Sequence, residues 1–166
     1  IGPRLQPFGN CRAGSVVPGG FEAYVRIDHE RDGVLPEDVA AELASILGQH
    51  TGRPDRCWLA LWEGYGYVDT NSLGRSWQVM VAYPLGGEPR PADLEYPWPI
   101  PPQRPRTAPR LELPGRRYVL YTGGLDKVPG WQDGPNLWWP EDRAWCVASE
   151  IDLPWTYVGG QESLAV

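Results

Sequence analysis

Glu150 and Asp152 lie two residues apart in "AWCVASEIDLPW", and what they can do depends on what positions them. If residues 144–155 form one strand, alternation puts Trp145, Val147, Ser149, Ile151 and Leu153 on one face. Cys146, Ala148, Glu150 and Asp152 then share the other face, with the two carboxylates about 7 Å apart. Such a pair can hold a cation, a guanidinium or a sugar hydroxyl. It can also work as acid and base where the surroundings split the two pKa values. The alternative is a solvated strand end with one carboxylate held by an arginine. Just upstream, "WWPEDRAW" offers a second candidate. Trp138 and Trp139 carry large apolar rings with polar tips, and Arg143 can stack on an indole or pair with a carboxylate. Asp142 can accept backbone N–H groups in a turn after Pro140, so a structural Asp–Arg lock competes with a binding role. The candidate binding residues are therefore Trp138, Trp139, Arg143, Glu150 and Asp152. In an enzyme, Glu150 and Asp152 would be the catalytic pair.

Other chemistry is poorly represented. No G-x-S-x-G, P-loop or G-x-G-x-x-G motif occurs. Cys11, Cys57 and Cys146 are widely spaced, without C-x-x-C or H-x-x-x-H, so no metal site and no cofactor are expected. The spacing is also not a secreted disulfide framework, so reduced thiols and a cytoplasmic location are the expectation. Cys57 and Cys146 sit in apolar strand patterns and should be buried and inert. His29, between Asp28 and Glu30, reads as part of a surface cluster, and His50 as a cap on a helix C-terminus.

The elements that would position these residues follow from periodicity. "FEAYVRIDH" alternates as a half-buried strand. "LPEDVAAELASILGQHTG" is the clear helix: Pro36 suits its first turn, Glu37 and Asp38 its positive end, and Val39, Leu43, Ile46 and Leu47 form an apolar stripe. "RCWLALWEGYGYVD" is apolar on both faces, as a central covered strand would be. "SWQVMVAY" and "RRYVLYTGG" are further strands, and 144–155 is the fifth. "PNLWWPEDRAW" begins irregularly and "TYVGG" turns away, its paired glycines being turn signals. Ten prolines between 84 and 114 rule out regular helix and central strand there, leaving a long covering loop. The expected fold is a single α+β domain over 1–166, mostly an antiparallel sheet of about five strands with one clear helix.

Composition narrows the partners. With 15 Lys and Arg against 21 Asp and Glu, the net charge is −6, which disfavours nucleic acid. No apolar run is long enough to span a membrane. Nine Trp and eight Tyr against two Phe suit surfaces that grip another protein, or a core built from large side chains.

"CWLALWEGYGYVD", "PRLELPGRRYVLYTGGLDKV" and "PNLWWPEDRAWCVASEIDLPWTYVGG", with "VVPGGFEAYVRIDH", resemble an actinobacterial family of Trp-rich proteins. That resemblance implies a small cytosolic domain and carries no activity or site residue with it. Over the last third, "W-P-x-D-x-x-W" followed by a strand ending "V-G-G" is similar to the SUKH immunity-type proteins. The long proline loop and the missing helices after Gly160 depart from that pattern. The reading is thus a non-enzymatic module that binds another protein, of the kind an immunity-type inhibitor of a toxin would be. The alternative is a small-molecule binder or hydrolase with a Trp-lined acidic cleft.

Overall fold

The computed structural model describes residues 13–64, 109–113, 115–131 and 134–164. Within them the strands are β1 (Ala23–Asp28), β2 (Cys57–Trp62), β3 (Arg110–Leu113), β4 (Arg116–Gly123), β5 (Leu137–Pro140), β6 (Cys146–Ser149) and β7 (Trp155–Gly160). The helices are a single turn, α1 (Ala13–Val16), and α2 (Glu37–Gly48), with 3-10 turns at Leu125–Lys127 and Glu162–Leu164. The strands form one sheet in the order β1-β7-β6-β5-β2-β4-β3, and every adjacent pair is antiparallel. A mostly antiparallel sheet with few helices is as expected. Seven strands rather than five is a correction. The expected strand at 76–83 and residues 84–108 of the proline segment lie outside the described residues.

Three strands, β3, β5 and β7, depart from the expected pattern, each for a physical reason. β3 lies inside the proline segment, yet it sits at the sheet edge, where only one side needs ladder bonds. Gly115, at φ 80°, turns the chain from β3 into β4. β5, "LWWP", has no alternation because all four residues are buried between β6 and β2. β7 contains the Gly159–Gly160 pair, which local sequence marks as a turn. A Cβ at Gly159 would come within 2.5 Å of the Phe21 ring, so this glycine permits close packing on a strand rather than a reversal.

The strands in the middle of the sheet bury both faces. Cys57, Leu59 and Leu61 of β2 join one apolar cluster, with Val119, Tyr121, Trp138, Trp145 and Val147. Trp58, Ala60 and Trp62 join the other, with Tyr118, Leu137, Trp139, Cys146 and Ala148. The central, doubly covered character expected of β2 is therefore present, in the expected parity. Helix α2 covers the first face through Ala40, Ala44 and Leu47. The contact stripe is rotated from the expected one: Leu43 flanks it and Ile46 is exposed. Small alanines let the helix axis approach the sheet, which large side chains at those positions would prevent. The end of α2 is held by the Trp145 indole, whose Nε1–H donates to the Leu47 carbonyl at 3.0 Å. His50 contributes only its backbone N–H there, to Leu47 at 3.1 Å, and not the imidazole cap expected of it.

Candidate functional site

β6 stops at Ser149, so Glu150 and Asp152 are not on one strand face. They sit in the turn from β6 to β7, where the Leu153 N–H donates to the Glu150 carbonyl. Strand parity fails within this turn: Leu153 packs in the opposite cluster from Val147. Both carboxylates nevertheless converge on one cation. Arg116 Nη2, at the start of β4, donates to Glu150 Oε1 at 2.6 Å and to Asp152 Oδ2 at 2.9 Å. Glu150 is 5% exposed, whereas the Asp152 side chain is 67% exposed. Glu150 Oε1 also accepts the Ile151 backbone N–H, and the guanidinium lies 5.3 Å from the Trp62 ring centre. Burial opposes charge on Arg116, but its bonds to Glu150 and Asp152 outweigh that and raise its pKa. The arrangement ties the β6–β7 turn to β4. Each carboxylate of the pair has an oxygen on the same arginine nitrogen.

The tryptophan candidates are both buried. Trp138 is 1% exposed and Trp139 is buried on the other face of the sheet. Trp138 packs edge-on to Trp145, with ring centres 5.5 Å apart. Asp142 acts as its turn position predicts. It accepts the Thr51 hydroxyl at 2.7 Å and the backbone N–H groups of Gly52 and Ala144, locking this loop to the end of the α2 segment. Arg143 takes no part in that lock. It is exposed, at φ 58°, and makes no ion pair among the described residues. Of the five candidate binding residues, only Glu150 and Asp152 come together, and they do so on Arg116. The two strand cysteines are buried as expected, and burial pushes their thiols up to about 11 at Cys57 and about 12 at Cys146.

A mainly apolar concavity lies on the side of the sheet that α2 covers. A cleft of about 360 Å³ runs between residues 30–37 at the entry to α2 and residues 128–131 with 134–135, with Trp131, Trp138 and Ser149 among its walls. Its two loops bend at Gly33, Gly130 and Gly134, all at positive φ. Gly33 also packs against the β6–β7 turn: a Cβ there would lie 2.6 Å from Ile151 Cα. Glu30 and Glu37 line the opening, and Asp32 and Asp38 lie beside them in sequence. None of these four carboxylates is in an ion pair with a described residue.

Beneath the cleft three side chains form a hydrogen-bonded row. Ser149 Oγ and Thr156 Oγ1 are 2.7 Å apart across β6 and β7. Thr156 Oγ1 is 3.1 Å from His29 Nε2, and His29 Nδ1 is 2.7 Å from the Arg31 carbonyl oxygen. His29 is thus half-buried and tied to the sheet, not a member of a surface cluster. No local motif could reveal this row, because its members are 7 and 127 residues apart and only strand pairing brings them together.

Among the described residues no group of three His, Cys, Asp or Glu could hold a metal ion, and no helix is long and apolar enough to cross a membrane. No family model, curated protein or solved structure matches this chain.

Proposed function

We propose that this protein is a non-enzymatic module that binds a basic partner protein at the cleft lined by residues of the 30–37 segment and by Val128, Trp131 and Pro135. The observation that carries this reading is an apolar cleft with Trp131 in its wall beside carboxylates that form no ion pair with a described residue. Magnitudes favour a cationic occupant. The N-terminus of α2 contributes roughly half a positive charge and Arg31 a full one, against four carboxylates in 30–38. The overall charge of −6 acts in the same direction by steering basic proteins toward the surface. An immunity-type inhibitor of a basic toxin would need this complementarity.

The test is binding of a fluorescent Arg- and Leu-containing peptide to the whole chain and to the double variant Glu30→Lys/Glu37→Lys. Binding that weakens with salt and is lost in this variant supports the reading. The control Asp55→Lys/Glu112→Lys, away from the cleft, should still bind. No binding, or equal loss in both variants, defeats it.

A further inference from the structure

Resting on that reading of the cleft, we propose that it receives the charged tip of a lysine or arginine side chain, with Ser149 Oγ as its hydrogen-bond acceptor. The acceptor role follows from proton bookkeeping along the buried row. The Arg31 carbonyl has only lone pairs to offer, so the His29 nitrogen 2.7 Å away, Nδ1, carries a hydrogen. In the neutral ring Nε2 then has a lone pair and no hydrogen. In that neutral form the Thr156 hydroxyl donates to Nε2 across 3.1 Å. With its own hydrogen spent, Thr156 Oγ1 accepts from Ser149 across 2.7 Å. The Ser149 backbone N–H is committed as well, to the Asn136 carbonyl at 2.7 Å. Ser149, 6% exposed and lining the cleft, therefore presents lone pairs and no donor to an occupant.

An occupant must then bring an N–H or O–H. The acidic rim selects a cation, and the apolar walls, including Val128, Pro129 and Ala40, suit an alkyl stem. The Trp131 ring adds a face on which an ammonium or guanidinium can rest. Lysine and arginine side chains combine all three features. Thr156 and His29 are positioning residues here: they hold the Ser149 proton away from the cleft.

The experiment titrates the whole chain with N-acetyl-lysine methylamide, N-acetyl-arginine methylamide and N-acetyl-norleucine methylamide, followed by the Trp131 indole and Ser149 amide NMR signals. The first two should shift both signals saturably in the millimolar range. The norleucine compound, which keeps the stem without the charge, should bind about tenfold more weakly, the usual worth of one hydrogen bond to a charged group. Ser149→Ala should lower affinity for the lysine compound about tenfold and leave that for norleucine unchanged. Thr156→Val frees the Ser149 proton and should narrow the lysine-to-norleucine ratio without changing norleucine binding. Loss of the cleft's shape would instead weaken both ligands together. If norleucine binds as well as lysine, or no amide moves Trp131, the anchor assignment is wrong. A rim-dependent peptide interaction would in that case still stand, whereas its absence removes the binding reading itself.

Discussion

One guanidinium nitrogen, Arg116 Nη2, takes both acidic groups of the β6–β7 turn: Glu150 at 2.6 Å and Asp152 at 2.9 Å. The two contacts are unequal, because Glu150 is buried and Asp152 faces water. Arg116→Met leaves a buried carboxylate unpaired and should cost roughly 3–5 kcal/mol in a urea melt. Asp152→Asn should cost under about 1 kcal/mol, as an exposed pair does. The double variant Arg116→Met/Glu150→Leu should recover most of the loss, since it removes the stranded charge. If the single and double variants lose equally, packing rather than the ion pair holds this turn.

Trp145 joins the sheet to α2 by donating to the Leu47 carbonyl while its ring meets Trp138. Trp145→Phe keeps an aromatic ring but removes the donor and some volume, at roughly 1–3 kcal/mol. Amide exchange should show the effect most strongly in the last turn of α2, around Leu47 and Gly48. A uniform change across all elements would mean the indole contributes bulk alone.

Asp142 links stability to acid. Partial burial pushes its pKa up, but the bonds from Thr51, Ala144 and Gly52 together outweigh this and hold it below its ordinary 3.8. A carboxylate depressed on folding adds stability above the unfolded value, and that contribution vanishes as pH falls through the lower folded value. The stability difference between the wild type and Asp142→Asn should therefore be constant at neutral pH and shrink only below about 3.8. Denaturant midpoints measured from pH 7 to pH 2 would show it, and a gap that closes near pH 6 would contradict the assignment.

Two glycines with similar backbone angles should respond differently to alanine. Gly115, at φ 80°, has open space where a Cβ would go, so Gly115→Ala should cost about 1 kcal/mol for the left-handed backbone alone. Gly33, at φ 70°, has Ile151 backbone 2.6 Å from that point. Gly33→Ala must shift the β6–β7 turn and should cost clearly more, roughly 2–4 kcal/mol. Equal thermal shifts for the two variants would show that the turn gives way freely.

Local pattern was enough for those parts of this chain governed by near neighbours. The alternation of "FEAYVRIDH" and the two apolar faces of "CWLALW" specified β1 and β2, because side-chain direction alternates strictly along a strand. Helix α2 was visible from its acidic first turn and apolar spacing, and the Asp142 turn from the residue types around it. Negative charge and the burial of Cys57 and Cys146 were likewise readable. Tertiary structure alone decided the rest. β5 and β7 exist because neighbouring strands supply ladder bonds that no local period announces, and the end of β6 at Ser149 moved Glu150 and Asp152 off the expected face. Arg116 reached them from 34 and 36 residues away, and His29 met Thr156 from 127. Contacts at such separations depend on strand order and register, which arise from the packing of the whole sheet, so no short stretch of sequence encodes them.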